Sequence, residues 1–362
     1  MRNKKPCYII AEAGVNHNGS LKLCKELIDQ AAEAGVNAVK FQTFRADELV
    51  SHSAPKARYQ LKTTEPGESQ YEMLKKLELN EAAHEVLSAH CQKRGIDFLS
   101  SPFDLTSVEL LTHKLKLRRL KVPSGEITNA PLILKMAETQ LPLIVSTGMS
   151  TLKEVREALA VIAFGYVEKK SKNHDCPSFE RAFKSKQGQM ALKEKITLLH
   201  CTTEYPAPYS EANLHVMDTL RDQFGLEVGL SDHTSGIAVS IAAVARGASV
   251  IEKHFTLDRN LIGPDHQGSL EPQEFKVLVE SIRQVEQAVG SYEKKPTRSE
   301  LKNMPLARKS LIAARPIKKG EPFTSQNITS KRPGTGTSPM HYWELLNQKS
   351  DRDYKRDEMV CS

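Results

Sequence analysis

The chain has 362 residues, with 51 lysines and arginines against 44 aspartates and glutamates, so its net charge is a mild +7. This length fits two domains, or one α/β barrel of about 250 residues with an appended domain. Hydrophobic residues make up 39% and charged residues 26%, which excludes a disordered or fibrous chain. No apolar run approaches the roughly 18 residues of a membrane helix, and the apolar part of the N-terminus is too short for a signal peptide. We therefore expect a cytoplasmic protein without a membrane partner.

Cysteine spacing and charge distribution narrow the possible partners. The six cysteines are scattered without paired spacing, which argues against a disulfide framework or a zinc finger and predicts free thiols. Part of the positive charge lies in short runs at 168–172 and 184–186, not in a stripe interleaved with aromatic residues. Nucleic-acid binding is therefore the weaker interpretation, and an acidic small substrate fits the charge as well.

Short β-branched or apolar runs alternate with helix-period segments from residue 7 to about residue 290, as in repeated βα units. Eight strands are predicted, at 7–14, 38–44, 97–103, 119–126, 142–148, 196–202, 227–233 and 249–256. This count predicts a (β/α)8 TIM barrel, with an open, doubly wound sheet as the structural alternative. Nearly every strand ends in charged or hydroxyl residues, which favours the barrel because its strand ends meet at one mouth.

The helix after the first strand illustrates the pattern. Leu23, Leu27 and Ala31 share one face, and Gly35 is expected to end the helix.

Two insertions and a change in the residue pattern divide the chain. The insertions lie at 45–80 and 164–195, and the Lys-, Ser- and Gln-rich second one is interpreted as a mobile surface excursion. We assign the barrel to residues 1–290 and a polar linker to residues 291–304. A small β-rich domain, punctuated by proline and glycine, is assigned to residues 305–362.

Two histidines end neighbouring predicted strands. His233 and His254 are 21 residues apart, which is one βα repeat, so both imidazoles can reach one divalent cation from the same mouth. Two protein ligands leave open positions for water and substrate, as Lewis-acid catalysis requires. Either histidine alone is as well explained as a hydrogen-bonded core residue.

Two lysines also end apolar strands. Lys40 and Lys121 are costly to bury unless an anion meets them, and a phosphorylated or carboxylated ligand supplies one. Ser124, Ser146 and Ser231 lie at other strand ends and offer short hydroxyl donors. Alternatively, the lysines pair with carboxylates of the mouth, Glu12 or Glu126.

Three carboxylates are also predicted at the mouth of the barrel. Glu12, Glu126 and Asp265 are candidates for general acid or base work or for holding sugar hydroxyls, with solvated loop residues as the alternative. Asp265 lies in a glycine-flanked loop that could close over a substrate. The segment GVNHNG at 14–19 is compatible with an ordinary βα loop, and its function stays open.

Several motifs occur in an order that resembles the sialic acid synthase family over almost the whole chain. They are IIAEAGVNHNGS, AVKFQTF, SSPF, KVPSGE, VSTGMS, HCTTEYPAPY, GLSDHT, EKHFT and PGTG. The resemblance implies an enzyme that condenses phosphoenolpyruvate with an N-acetylated hexose, usually N-acetylmannosamine, to give a nine-carbon 2-keto acid and phosphate. It also implies that the C-terminal domain is an antifreeze-like SAF domain.

The resemblance assigns residues to each ligand. Phosphoenolpyruvate positions fall on Lys40, Ser101, Lys121, Ser124, Ser146, Thr203 and Ser231. Sugar positions fall on Glu12, Gln42, Glu126, Tyr205, Asp265 and Arg332, and the ligands of a divalent metal, Mn²⁺ or Mg²⁺, on His233 and His254. Arg332 implies a domain-swapped homodimer in which it reaches the neighbouring subunit's site, with a domain packed on its own barrel as the alternative.

Three positions depart from the family pattern. Ser101 stands where a threonine binds phosphate, Thr203 where an asparagine is frequent, and Leu306 where an aromatic residue lines the sugar pocket. The motifs CTTEYPAP and AEAGVNHNG resemble those of legionaminate-type synthases, whose acceptor is a 2,4-diacetamido-6-deoxymannose. N-acetylneuraminate synthesis is the main interpretation, and legionaminate or pseudaminate synthesis the alternative. Outside the family, a metal-dependent barrel hydrolase or a binding module built on the SAF domain stays open.

Overall fold

The computed structural model describes residues 5–65, 67–168 and 174–360, which form two compact units dividing between Gly290 and Ser291. The first unit contains eight parallel strands in the order β3-β2-β1-β8-β7-β6-β5-β4. Their bounds are Tyr8–Gly14, Ala38–Thr43, Asp97–Pro102, Leu120–Val122, Leu143–Ser146, Ile196–Cys201, Glu227–Asp232 and Val250–His254, for β1 to β8. β3 packs beside β4, so the sheet curls into a nearly closed barrel. The TIM-barrel prediction is confirmed, and the open-sheet alternative is excluded.

Helices surround this barrel. Those of the first unit, α1 to α13, are Leu21–Glu33, Ala46–Leu49, Arg58–Thr63, Gln70–Leu77, Glu81–Arg94, Leu105–Glu109, Ala130–Glu138, Leu152–Val167, Cys176–Lys184, Lys186–Lys195, Val216–Phe224, Ala238–Ala245 and Pro272–Val289. A π-helical turn, Leu110–Lys114, continues α6, and 3-10 turns occupy Ser124–Glu126, Tyr209–Glu211 and His266–Gly268. Among the described residues, no helix combines the length and apolarity needed to span a membrane.

Amphipathic faces and caps explain the individual helices. In α1, Ser20 caps the N-terminus by accepting from the backbone N–H of Leu23, and the helix ends where Gly35 takes a φ of +81°. The predicted face is shifted, because Leu23 is half-buried. The buried face comprises Cys24, Leu27, Ile28 and Ala31.

Both insertions contain ordered helices. The 45–80 segment forms α2, α3 and α4. The 164–195 segment is not a simple excursion, because α8 continues to Val167, and α9 and α10 pack on it. Phe164 and Phe179 make an edge-to-face ring contact there, so apolar side chains among the lysines fix these helices.

The fourth strand is shorter than the predicted 119–126. It ends at Val122 because Pro123 has no N–H to continue the ladder, and the chain turns at once into the 3-10 turn. The residues that follow therefore leave the barrel wall earlier than the sequence pattern suggests.

The second unit has its own small core. Strands β9, Ser310–Ala313, and β10, Ile328–Lys331, pair antiparallel, and the helices are α14, Arg298–Ala307, and α15, Tyr342–Leu345, with a 3-10 turn at Pro339–His341. The core contains Leu311, Ala313, Ile317, Phe323, Ile328, Leu345, Tyr354 and Val360. Helix α14 occupies much of the segment interpreted as a polar linker.

The described cysteines Cys7, Cys24, Cys91, Cys176 and Cys201 are all free thiols, as expected, and Cys361 lies outside the described residues.

Candidate active site

A cavity of about 220 Å³ opens where the carboxyl ends of the barrel strands meet. It gathers most of the predicted site residues: Glu12, Lys40, Gln42, Ser101, Lys121, Ser124, Ser146, Thr203, Tyr205, Ser231, His233, His254 and Asp265. These residues come from nearly every strand or the loop that follows it. The polar residues predicted at the strand ends therefore line a single cavity in the structure.

Its centre is a buried cluster of two lysines and two carboxylates. Lys40 Nζ lies 2.9 Å from Glu12 Oε2 and 3.6 Å from Glu252 Oε2, and Lys121 Nζ lies 3.5 Å from Glu252 Oε1. The alternative in which the lysines pair with carboxylates is therefore partly correct. Their shared partner is Glu252, however, and not Glu126.

Glu252 is the site residue that sequence reasoning missed. It lies in the middle of β8, two positions before His254, so alternation along the strand turns both side chains to the same face. A carboxylate inside an otherwise buried strand was the available signal, because such a charge is costly without a partner.

The charges within the cluster are strongly coupled. Burial, with the nearby Glu252 carboxylate, raises the pKa of Glu12 to about 7 in spite of Lys40. Burial also acts against ionisation of Glu252, but Lys121 and Lys40 outweigh it and lower the pKa of Glu252 to about 2. Glu252 thus carries the stable negative charge, while Glu12 is poised to exchange a proton near neutral pH.

Hydroxyl groups surround both lysines. Lys121 Nζ donates to Ser146 Oγ at 2.7 Å, and Lys40 Nζ donates to Ser101 Oγ at 3.2 Å. Ser231 donates to Glu252 Oε1 at 2.9 Å. The buried Thr203 hydroxyl has no hydrogen-bond partner among the described residues, which leaves it available to a ligand.

Gly148 lies close to two of the hydroxyl groups of the cavity. A Cβ at Gly148 would lie 2.4 Å from Thr203 Oγ1 and 2.8 Å from Ser124 Oγ. The Gly148 N–H instead donates to Ser124 Oγ at 3.1 Å. The absence of a side chain at Gly148 therefore leaves room for the hydroxyls of Ser124 and Thr203 at the cavity.

The two histidines face one another beside this cluster. The ring centroids of His233 and His254 are 5.3 Å apart, and the Tyr205 ring lies 4.2 Å from the first and 5.1 Å from the second. His233 Nδ1 donates to the Thr202 carbonyl oxygen at 2.7 Å, which places its proton there, and its Nε2 lies 3.4 Å from Ser231 Oγ. Buried His254 Nδ1 has no hydrogen-bond partner among the described residues.

These donors fit a divalent metal. Both imidazoles offer a lone pair, and Asp265 Oδ2 lies 3.7 Å from His254 Nδ1. Within the described ranges, no group of three or more His, Cys, Asp or Glu side chains is placed to share an ion. The arrangement therefore offers a metal two protein ligands and leaves positions for other ligands.

The loop that carries Asp265 is braced by the GVNHNG segment. Asn16 Nδ2 donates to the Phe255 carbonyl oxygen and to Ser269 Oγ, both at 2.9 Å, and Asn18 Nδ2 donates to the Ile262 carbonyl oxygen at 2.9 Å. This assigns a positioning role to the segment that the sequence left open. Burial raises the pKa of Asp265 to about 6.

Glu126 is a predicted site residue that does not line this cavity. Glu126 lies in the 3-10 turn that follows the shortened β4, where it accepts from Asn129 Nδ2 at 2.7 Å. Burial raises its pKa, and its catalytic role stays a prediction. Arg332 belongs to the second unit, where its Nε donates to the Ala307 carbonyl oxygen at 3.0 Å. Leu306, in the same unit, is exposed.

The insertion after β2 contributes lining residues that the sequence did not reveal. Gln60 and the apolar side chains of Met73, Leu74 and Leu77 border the cavity. Met73, Leu74 and Leu77 belong to α4. This helix is amphipathic, but nothing in its sequence pattern indicates which surface it covers.

Comparison with known proteins decides the family. The NeuB family profile matches residues 27–294, and the SAF domain profile matches residues 308–360. The chain belongs to the NeuB family. As a NeuB member it is a transferase of the nonulosonate synthase class, which confirms the resemblance noted in its motifs.

Relatives with assigned activities indicate where this NeuB chain lies within the family. It is 51% identical to the N,N'-diacetyllegionaminic acid synthase of Campylobacter jejuni over 98% of this chain and 99% of that protein. The same enzyme of Legionella pneumophila is 47% identical, with 95% and 90% covered. These relatives favour the legionaminate alternative over the N-acetylneuraminate interpretation.

The fold agrees with a solved relative of the NeuB chain. The N-acetylneuraminic acid synthetase of Leptospira borgpetersenii, crystallised in complex with citrate, superimposes with a TM-score of 0.67 at 31% identity, covering 84% of this chain and 93% of that chain.

Proposed function

We propose that this enzyme condenses phosphoenolpyruvate with an acetamido hexose that carries two acetamido groups, giving a nine-carbon 2-keto sugar acid and phosphate. The observation that carries the proposal is the pair of buried lysines, Lys40 and Lys121, which hydroxyl groups surround and which lie beside the facing imidazoles of His233 and His254. The names of the relatives from Campylobacter and Legionella support an acceptor with two acetyl groups.

The lysines and hydroxyls suit the anionic substrate. Lys40 and Lys121 are both buried, so their positive charges act at short range in a medium of low dielectric constant. Glu12 and Glu252 offset part of this positive charge, and the phosphate and carboxylate of phosphoenolpyruvate would offset the rest. Ser101, together with Ser124, Ser146 and Thr203, supplies neutral donors around them.

A divalent metal, Mn²⁺ or Mg²⁺, would be held by His233 and His254 and would supply Lewis-acid polarisation of the sugar aldehyde. The Thr202 carbonyl oxygen keeps the proton of His233 on Nδ1. Tyr205 packs against both rings and limits their rotation.

The reaction needs one proton donor or acceptor near neutral pH. As C3 of phosphoenolpyruvate attacks the aldehyde carbon, the aldehyde oxygen takes up a proton and positive charge develops at C2. Water adds at C2 with loss of a proton, and the C2–O bond to phosphate then breaks as the C2 hydroxyl gives up its proton and the keto group forms. Glu12 lies beside Lys40, with Gln42 Nε2 3.4 Å from its Oε1, and is suited to accept the proton of that water. Glu252 keeps both lysines in place while the phosphate departs between them.

A panel of acceptors tests the proposal. Purified enzyme with Mn²⁺ and phosphoenolpyruvate is mixed with N-acetylmannosamine or with 2,4-diacetamido-2,4,6-trideoxymannose, and phosphate release and product mass are recorded. We expect phosphate release that depends on the sugar, with a higher kcat/KM for the diacetamido sugar. Phosphate release without any sugar would favour the barrel hydrolase, and equal rates with both sugars would refute the stated acceptor.

A further inference from the structure

One wall of the cavity is apolar, although the rest of the lining is largely charged or hydroxylic. The apolar wall consists of Val15, Met73, Leu74, Leu77 and Phe103. Val15 and Phe103 follow β1 and β3, and the other three residues belong to α4 in the 45–80 insertion. Val15, Met73 and Leu77 are themselves buried and pack in one cluster with Phe44.

Helix α4 is held firmly in this position. Ser69 caps its N-terminus in a reciprocal arrangement with Glu72. Lys56 is a buried residue of the same insertion and donates to Thr64 Oγ1 at 2.9 Å and to Glu68 Oε1 at 3.0 Å. Lys76 of α4 pairs with the same Glu68 at 2.8 Å, so the apolar wall is a built surface of the pocket.

The insertion is also tied to the loop that carries Asp265. The Gly263 N–H donates to the Thr63 carbonyl oxygen at 3.1 Å, which joins the end of α3 to that loop. The apolar wall and Asp265 thus border the same cavity and are connected through the backbone. A sugar that reaches Asp265 lies within the space that the apolar wall bounds.

An apolar wall discriminates between chemical groups. A sugar hydroxyl placed against it loses its bonds to water and gains none, whereas a methyl group gains contact with Met73 and Leu77. The thioether of Met73 is flexible enough to fit around a small group. In the proposed function, the lysines bind phosphoenolpyruvate and the histidines lie beside the sugar aldehyde. The apolar wall therefore faces a part of the acceptor that does not react.

We propose that the apolar wall receives the methyl group of the acceptor's second acetamido group and so selects a diacetamido sugar over a singly acetylated one. This inference rests on the proposed function and deepens it. It also gives the 45–80 insertion a role, as the part of the barrel that sets acceptor specificity.

The test compares two acceptors that differ by one acetyl group. They are 2,4-diacetamido-2,4,6-trideoxymannose and its analogue with a free 4-amino group. For Met73→Gln and Leu77→Asn we expect the ratio of the two kcat/KM values to fall by about tenfold, the effect of a small apolar contact in a pocket. The KM for phosphoenolpyruvate should stay unchanged.

Leu49→Ala is the matched control. Leu49 packs against the same cluster but does not border the cavity, so its truncation should leave the acceptor ratio as in the wild type. The half-buried Leu74→Asn provides a milder variant if either buried substitution prevents folding, as judged by circular dichroism.

The outcomes separate the two claims. Equal losses with both sugars in the variants that fold, or an altered ratio in Leu49→Ala, would overturn the role of the apolar wall and leave the proposed function standing. Failure of the wild-type enzyme to release phosphate with either sugar would overturn the proposed function and this inference together.

Discussion

Lys253 and Asp232 form a fully buried ion pair, 2.9 Å from Nζ to Oδ2, and each directly precedes one of the two cavity histidines. The two residues are register partners on β8 and β7. Lys253 also donates to the Thr234 carbonyl oxygen at 2.6 Å, and Asp232 accepts from Ser240 Oγ at 2.6 Å. The ion pair thus joins the strand ends on the side away from the cavity and fixes where His233 and His254 stand.

We predict that Lys253→Met lowers the free energy of unfolding by about 3–5 kcal/mol, because it leaves the Asp232 carboxylate buried without its cation. Urea denaturation followed by circular dichroism measures this loss. The double variant Lys253→Met with Asp232→Asn removes both charges and should be more stable than the single variant. A double variant that is less stable than Lys253→Met would contradict the interpretation.

Removal of either metal-ligand candidate should abolish turnover while the fold survives. His233→Ala and His254→Ala each delete one of the two imidazoles beside the cavity, and the open barrel mouth tolerates the void. Binding of Mn²⁺ measured by electron paramagnetic resonance should weaken in both variants, and dialysis against a chelator should inactivate the wild type. Substantial turnover by either variant without divalent metal would refute the assignment.

Replacement of Lys121 should affect one substrate selectively. Lys121→Met is expected to raise the KM for phosphoenolpyruvate far more than the KM for the sugar, since an unpaired phosphate charge costs on the order of 2–5 kcal/mol. The exposed Lys153→Met serves as the control and should change neither KM. Steady-state kinetics with each substrate varied in turn measure the effect. Equal increases in both KM values would remove Lys121 from the phosphate site.

Stability should fall in mild acid because of His17. Burial, with a smaller contribution from His84, lowers the pKa of His17 from 6.5 to about 4. Above pH 6.5 neither the folded nor the unfolded chain protonates this ring. As the pH falls, the unfolded chain binds the proton first, so stability is lost between pH 6.5 and about 4, by on the order of 3 kcal/mol.

The His17 contribution is measurable from urea midpoints between pH 4 and 8. His17→Gln should reduce the slope of stability against pH in this window, whereas the exposed His113→Gln should leave it unchanged. A slope that is the same in His17→Gln as in the wild type would contradict a buried, neutral His17.

Arg332 tests the predicted exchange of SAF domains in a homodimer. Arg332→Ala and His233→Ala chains are each expected to be inactive, but a refolded mixture should regain activity. In the mixed dimer, the barrel with intact His233 receives the partner's intact arginine. A mixture that stays inactive although mixed dimers form would exclude the exchange.

The barrel was predictable because its strands repeat with clear turn signals and polar carboxyl ends. His233, Lys40 and Lys121 line the cavity as predicted. His233 directly follows β7, whereas Lys40 and Lys121 lie within β2 and β4 and not at their ends, where a buried ammonium group needs an anionic partner. Glu252 was missed because it lies inside β8. A buried charge there is stable only with partners on other strands, which the local sequence does not show.

Two further differences have local physical causes. Glu126 was expected in the mouth, but Pro123 ends β4 early and turns the chain into a 3-10 helix. The apolar wall was not predictable either, since the amphipathic pattern of α4 marks a buried face without saying what covers it. Such long-range packing depends on insertions whose path the local sequence does not determine.

The most direct test of the central claim follows the oxygen that bridges C2 and phosphorus in phosphoenolpyruvate. The enzyme is incubated with Mn²⁺, a diacetamido hexose and phosphoenolpyruvate labelled with ¹⁸O at that position, and the phosphate is examined by mass spectrometry. Because water adds at C2 and the C–O bond breaks, the label should leave with the phosphate, and only when the sugar is present. Unlabelled phosphate would indicate cleavage of the P–O bond, as in a hydrolase, and would contradict the condensation mechanism.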